Sequence, residues 1–214
     1  MVLVGGGLGW FTGSIVGGRP VALAAGITAG VNGAFGGVRR VYAWRSVAGW
    51  YAFVSDSTWA LLGTTLGNIL NMLNLAWRNA AYRGDFSLRR NRHLFENGVA
   101  LQRGFAFTLG CVTSNAGTRS GRPLEERLEL IDLHEDLHIW QNRWFGPIYP
   151  AMYVAWATGG TVVAVITWLV RRERPSLRAM IRTAAYYDNP FEYWAYKAQG
   201  HWEDNSADPT LKWG

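Results

Sequence analysis

The chain has a single cysteine, Cys111, so it can close no internal disulfide, and a bridge framework is excluded as its source of stability. Charge is scarce: Asp, Glu, Lys and Arg make up 17% of the 214 residues. Lysine is almost missing, occurring only at Lys197 and Lys212, so the net charge of +6 is carried almost wholly by arginine. No RNA- or DNA-binding motif or basic groove pattern accompanies that charge. Nucleic acid is therefore not expected as a partner, and anionic lipid headgroups suit the arginines better. The opening Met1-Val2-Leu3-Val4-Gly5 has no basic region and no clear cleavage site, so no removable signal peptide is expected.

What is present points to a membrane. The chain has 12 Trp and 26 Gly, and its apolar residues are bunched into runs. Val2 to Val38 is two short apolar runs broken at Gly17-Gly18-Arg19-Pro20. In the first, Gly5, Gly9, Gly13 and Gly17 recur every fourth residue; in the second, Ala22, Gly26, Gly30 and Ala34 do the same. Small residues at this spacing let helix backbones approach closely where lipid removes the hydrophobic drive for association, so a tightly packed membrane hairpin is expected. Each run falls a little short of the roughly 20 residues that a full span needs, so it must tilt, thin the bilayer or re-enter.

Arg39, Arg40 and Arg45 then mark a cytoplasmic end. Residues 41–54, with Trp44, Trp50 and Tyr51, suit an interfacial helix. Residues 58–77 are long enough to span, but Thr64, Asn68, Asn71 and Asn74 form a polar stripe at helical spacing, which suits an interface or a partner. Spanning would also put Arg39 and Arg78 on opposite sides, so the interfacial placement is preferred. Further on, Phe95-Glu96-Asn97-Gly98 reads as a turn, residues 99–101 as a short apolar piece, Arg103-Gly104 as a second turn, and residues 105–113 as a strand.

The most chemically pointed stretch is Leu133-His134-Glu135-Asp136-Leu137-His138, which uses two of the 4 histidines. Positions i and i+4 share a helix face, so His134 and His138 can bind one metal ion with Glu135 beside it. This HExxH pattern is the sequence form of a zinc hydrolase site, in which the Glu takes a proton from metal-activated water. Ser120-Gly121-Arg122-Pro123 supplies a helix start, with Glu125 and Glu126 in the first turn. Leu124, Leu128 and Ile131 mark an apolar face that continues into Glu135 and His138, with Leu130 and Leu137 on the His134 side. A strand ahead of this helix suits either backbone pairing with a substrate or a supporting role.

After Gly146-Pro147, Ile148 to Val170 is an apolar run of spanning length, ended by Arg171-Arg172-Glu173-Arg174-Pro175. Asn189-Pro190-Phe191-Glu192 then reads as a new helix start with its Glu in the first turn. HExxH followed tens of residues later by Glu192-Tyr193-Trp194-Ala195 resembles the gluzincin arrangement of minimal zinc metallopeptidases. It resembles in particular uncharacterised bacterial membrane proteins with a HExxH core. The resemblance covers roughly residues 105–199 and implies that His134, His138 and Glu192 bind Zn2+, that Glu135 is the general base and acid, and that Ala195 lets the two helices pack. Tyr186, Tyr187 or His201 is left open as an oxyanion partner.

A single crossing by residues 148–170 would deliver Glu192 to the far side from His134. The expectation is therefore that this run does not simply span, and that Gly159-Gly160 turns a shallow hairpin or the helix is buried over the site. Arg178 and Arg182 suit a headgroup-contacting face, and the acidic tail from residue 200 a loose end.

The expected fold is a mainly α membrane protein with a small β element: a glycine-zipper hairpin and an α+β, minimal zincin-like core. Its segments are a hairpin over 1–40, interfacial or transmembrane helices over 41–84, strand plus HExxH helix over 85–147, an apolar hairpin or buried helix over 148–170, and a third-ligand helix and tail over 171–214. Membrane packing falls to Gly5, Gly9, Gly13, Gly17, Gly26 and Gly30. The expected function is a membrane-embedded zinc metallopeptidase-like protein acting on peptide. It is placed in the bacterial inner (plasma) membrane, with its site on the cytoplasmic side, among membrane lipids and with membrane protein partners or further copies of itself. The alternatives are a non-catalytic subunit with a structural or vestigial zinc site and, less favoured, a small pore or scaffold built by the hairpin.

Overall fold

The computed structural model describes residues 1–101, 105–117, 124–171 and 176–200, and it is mainly helical with a small mixed sheet. The expected turn at Arg103-Gly104, the helix start at Ser120-Gly121-Arg122-Pro123, His201 and the acidic tail lie outside the described residues. The chain divides into two compact units, Met1–Pro147 and Ile148–Gly214.

The first unit opens with α1 (Val2–Val38), whose helical backbone is interrupted at Gly17 (φ −155°, ψ 21°) and Gly18 (φ 71°, ψ −164°). The positive φ at Gly18 lies in the left-handed region that glycine enters without a Cβ penalty. The two arms on either side run antiparallel at near-backbone separation. A Cβ built on Gly5 would sit 2.8 Å from the Ala29 carbonyl oxygen, and one on Gly13 would sit 2.6 Å from Ala22 Cα. A Cβ on Gly9 would strike the Ala25 backbone, and one on Gly26 would lie 3.2 Å from the Gly6 oxygen. Gly17 is at the bend, facing the Val21 side chain, and Gly30 has only ordinary contacts, the nearest at 3.8 Å. Leu3, Phe11, Ile15 and Val16 point outward, fully or largely exposed.

The 41–54 stretch is not one helix. Val41 and Tyr42 are buried in irregular chain, and α2 (Val47–Ser57) starts later, where the Ser46 hydroxyl accepts from Gly49 N–H (3.1 Å). The next helix, α3 (Leu61–Ala76), is 16 residues long, about 24 Å at 1.5 Å per residue. Its polar stripe turns inward: Thr64, Asn68, Asn71 and Asn74 are all buried, while Leu62, Ile69, Met72, Leu73 and Leu75 are exposed. The stripe is therefore internal, not laid against water or a partner. Each member supplies a bond that a neighbouring element needs. Thr64 Oγ1 donates to the Asp56 carbonyl (2.8 Å), Asn68 Nδ2 to the Thr28 carbonyl (2.9 Å), and Asn71 Oδ1 accepts from Arg39 (2.7 Å). Asn74 Oδ1 accepts from Val99 N–H (2.8 Å) and Ser114 Oγ (3.0 Å).

Four short strands follow: β1 (Ala81–Tyr82), β2 (His93–Glu96), β3 (Phe107–Leu109) and β4 (Val112–Ser114), in the sheet order β1-β2-β4-β3. β2 and β4 are parallel; the other two pairings are antiparallel. Phe95 and Glu96, expected in a turn, belong to β2, and the chain turns just afterwards at Asn97 (φ 53°). Residues 105–113 are not one strand either, because Gly110 (φ 56°) folds them into the β3–β4 hairpin. β3 is thus an edge strand. In β2, Phe95 packs with Leu70, Val112 and Ile139, whereas Leu94 packs with Leu124 and Ile131, as the two-residue pleat requires.

A continuous helical stretch then begins at Leu124, passes through a π-helical segment (Leu130–Glu135) and becomes α4 (Asp136–Phe145). Leu124, Ile131 and Ile139 are fully buried on the face that also carries Glu135, His138 and Asn142.

The second unit is α5 (Ile148–Val170), α6 (Leu177–Arg182), a π-helical segment (Thr183–Tyr187) and α7 (Pro190–Gln199). α5 is one unbroken helix of 23 residues, so no hairpin turns at Gly159-Gly160. Nor is it a buried helix, for among its residues only Ala164 is buried. The glycines serve close packing instead: a Cβ on Gly160 would collide with the Ala184 backbone. The return that the sequence seemed to lack is made by residues 177–187. These run back along α5, with Trp156 Nε1 donating to the Ala184 carbonyl (3.1 Å) and, further back, Tyr149 packing edge-on to Phe191 at 4.8 Å. Glu192 consequently lies beside the beginning of α5, not its end.

α1 and α5 are the two helices among the described residues long and apolar enough to cross a membrane.

Candidate metal centre

The π-helical segment carries His134 and Glu135, and α4 carries His138. Such segments are rare and recur at functional sites, because the extra residue per turn redirects side chains within an otherwise continuous helix. His134, Glu135 and His138 are 3%, 6% and 7% exposed, so all three point into the protein.

His134 Nε2 and His138 Nε2 lie 3.2 Å apart, and His138 Nδ1 is 2.8 Å from Gln141 Oε1. An amide oxygen only accepts, so it holds the proton on Nδ1 and leaves the Nε2 lone pair of His138 aimed at His134. Two imidazole nitrogens at this separation can share one proton or one cation. Zinc–nitrogen bonds of about 2.0–2.1 Å in a tetrahedral shell put neighbouring ligands about 3.4 Å apart, so the spacing fits a shared ion. Gln141 is fully buried, one turn beyond His138, and its place in the site is not evident from the HExxH letters.

Glu135 is held from the sheet. Thr108 Oγ1, on edge strand β3, donates to Glu135 Oε2 (2.7 Å). With that proton committed, Thr113 Oγ1 donates to Thr108 Oγ1 across the hairpin (2.9 Å). A carboxylate that accepts one fixed bond keeps its second oxygen in a defined direction, as a general base requires.

In the second unit, Glu192 stands in the first turn of α7. Asn189 Oδ1 caps that helix by accepting from Phe191 N–H (3.0 Å), and Pro190 occupies its first turn. Glu192 is 3% exposed and its Oε1 accepts from the Tyr153 hydroxyl (2.8 Å) on α5. Ala195, one turn further, is fully buried. Tyr186 and Tyr187 pack with Tyr196, the Tyr186 and Tyr196 hydroxyls lying 3.4 Å apart. Burial and then the charge of Glu192 raise the Tyr186 phenol well above its ordinary pKa.

His134 and His138 in the first unit, and Glu192 in the second, are each buried, and each offers a ligand atom of a kind that can hold a metal ion. Two imidazoles and one carboxylate are a donor set of the kind that suits zinc.

The third described histidine, His93, is of a different kind. It is fully buried on β2, accepts from Arg39 at Nδ1 (3.2 Å), and is pushed down to about 3 by burial and by the charges of Arg39 and Arg143. It is a neutral core residue.

Comparison of the chain with protein-family models, with curated proteins and with solved structures finds no match.

Proposed function

We propose that the chain is a membrane-embedded zinc metallopeptidase-like protein in which His134, His138 and Glu192 hold the metal and Glu135 is the general base and acid. The observation that carries this reading is the His134–His138 pair at 3.2 Å, with Gln141 setting the tautomer that frees His138 Nε2. Bound zinc supplies a water whose pKa falls to about 7 and polarises a carbonyl. The chain's own groups do the rest. Thr108 orients Glu135 to take a proton and return it to the leaving amine, and Tyr153 orients Glu192. Polypeptide is the favoured substrate, since the outer edge of β3, which pairs with no other strand among the described residues, lies next to the Thr108–Glu135 bond, where an extended chain can add by backbone pairing. The exposed apolar surfaces of α1 and α5 support a membrane setting among lipids; the bacterial inner membrane, partner subunits or further copies, and a cytoplasmic side marked by Arg39, Arg40 and Arg45 complete the proposal.

The deep burial of His134, Glu135, His138 and Glu192 favours a second reading, in which zinc only braces a non-catalytic subunit. One experiment addresses both. Detergent-purified protein is expected to contain about one zinc per chain, lost in His138→Ala and in Glu192→Ala. Glu135→Gln should keep the zinc and lower peptide hydrolysis by about 10²–10⁴-fold. Zinc without any hydrolysis in the native protein selects the bracing role; no zinc, even after incubation with the metal, overturns the proposal.

A further inference from the structure

Two arginine-bearing turns far apart in sequence meet on the surface of the first unit. The Arg89 N–H donates to the Arg40 carbonyl (3.1 Å) and the Asn91 N–H to the Val41 carbonyl (2.8 Å), while Asn91 Oδ1 accepts from Ala43 N–H (2.8 Å). Both Arg40 (φ 52°) and Arg89 (φ 56°) have left-handed backbones, a conformation that is sparsely used by residues with a Cβ and persists only where the surroundings enforce it. The enforcement comes from below: Arg143 Nη2 donates to the Asn91 carbonyl (2.5 Å) while the same guanidinium binds Asp56. The paired turns are therefore fastened to α4, the helix that carries His138.

Among the described residues, acids are scarce around the arginines on this face. Residues 1–55 contain neither Asp nor Glu, and the first acid, Asp56, is buried with Arg143. Nearby, Arg83 is bonded to Asp85, Glu96 and Glu125, Arg92 to Asp132 and Asp136, and Arg39 lies over the Tyr82 ring. Arg40, Arg45, Arg89 and Arg90 remain exposed with no carboxylate partner among the described residues. Beside them, α1 ends at Val38, and Trp50 and Val47 are 56% and 87% exposed, with Trp50 packed edge-on to Trp44 at 4.9 Å. Unpaired guanidinium groups next to exposed tryptophan, at the end of a helix apolar enough to cross a bilayer, are complementary to the phosphate level of a membrane.

We propose that this arginine face binds anionic phospholipid headgroups, with phosphate oxygens accepting from the guanidinium groups, and so sets α4 at a fixed height against the membrane surface. The assignment rests on the membrane reading of the chain and is independent of the metal.

The test is the melting temperature of the protein in nonionic detergent with added phosphatidylglycerol, phosphatidylcholine or inorganic phosphate. Phosphatidylglycerol should raise it by several degrees and the other two should not. The rise should vanish in about 1 M salt, where the screening length is about 3 Å. It should be lost in the Arg40→Gln, Arg89→Gln pair and kept in the Arg40→Lys, Arg89→Lys pair; if the first pair does not fold, Arg45→Gln with Arg90→Gln carries the same expectation away from the strained turns. An equal rise with phosphatidylcholine or with phosphate alone, or a rise retained in the Gln variants, overturns the proposal. A chain that stays in solution without detergent contradicts the membrane reading itself, whereas one that needs detergent yet ignores phosphatidylglycerol contradicts only this assignment.

Discussion

The guanidinium of Arg143 grips the carboxylate of Asp56 through two hydrogen bonds of 2.9 and 2.8 Å, with each side chain only 1% exposed. Burial alone would lower the Arg143 pKa, but Asp56 raises it above the ordinary value, so the guanidinium stays charged. Asp56 also accepts from the Tyr42 hydroxyl (2.9 Å), which in turn accepts from Asn32 (2.7 Å). One buried network thus ties α1, α2 and the HExxH helix together. Removing one partner strands a buried charge, so Asp56→Ala or Arg143→Met should destabilise by about 3–5 kcal/mol, read as a lowered melting temperature in detergent. The double variant should lose less than the two single losses added together; a fully additive loss would show that the two charges do not act as a pair.

Gln141 makes a prediction about affinity. Gln141→Ala removes the acceptor that holds the His138 tautomer, and metal binding should weaken about 10–100-fold while the fold persists. Competition with a calibrated chelator measures it. Unchanged affinity would mean that His138 is oriented without Gln141.

Thr108 offers a way to test the proposed catalysis apart from the proposed metal binding. Thr108→Val deletes a bond to a carboxylate, worth about 1.5–3 kcal/mol, with little change of volume. Zinc content should stay at the native level while the rate falls about 10–100-fold; loss of zinc together with rate would place Thr108 in the fold and not beside the reaction.

His93 sets a pH dependence. Its folded pKa of about 3 lies below the unfolded value of 6.5, so the unfolded chain binds the extra proton between these values. Its contribution is fully present above about pH 6.5 and is lost at about 1.4 kcal/mol per pH unit as the pH falls below that. His93→Gln should show a shallower loss of stability than the native protein between pH 6.5 and 5, compared by melting temperature. Parallel curves would rule out the histidine as their cause.

The arms of α1 test the glycine stripe. Gly9→Leu puts a side chain into the Ala25 backbone and should open the arms, whereas Gly7→Leu has no atom within 4 Å of its Cβ and should be tolerated. Crosslinking between cysteines placed at Val2 and Gly30, where a Cβ on Gly30 would lie 3.9 Å from Val2 Cγ1, in a Cys111→Ser background, should be lost in the first variant and kept in the second.

Much of this was legible in the sequence wherever the relevant partners are close in the chain. The i, i+4 spacing of His134 and His138, the Asn189-Pro190 start ahead of Glu192 and the four-residue glycine repeat are all local patterns whose geometry follows from one helix. The bonds of Thr108 to Glu135, Asn71 to Arg39 and Asp56 to Arg143 are not local: they depend on how distant elements pack, and no spacing announces them. Gly159-Gly160 misleads for another reason. A glycine pair reads as a break because water competes for its backbone, but within an apolar helix nothing else can satisfy those amides, and the helix continues while the missing side chains admit the Ala184 backbone. The 105–113 run misleads because β-forming residues surround Gly110, whose positive φ alone decides that it folds into a hairpin.

The inward-facing stripe of α3 bears on how the protein can be handled. A redesign for water would ordinarily keep the leucines and replace the asparagines, and here that choice would destroy the molecule, since Asn68, Asn71 and Asn74 hold its neighbours while Leu62, Ile69, Met72 and Leu73 hold nothing inside. Within α3, a version redesigned for water should exchange those four outer side chains for Glu, Lys or Gln and leave every asparagine in place.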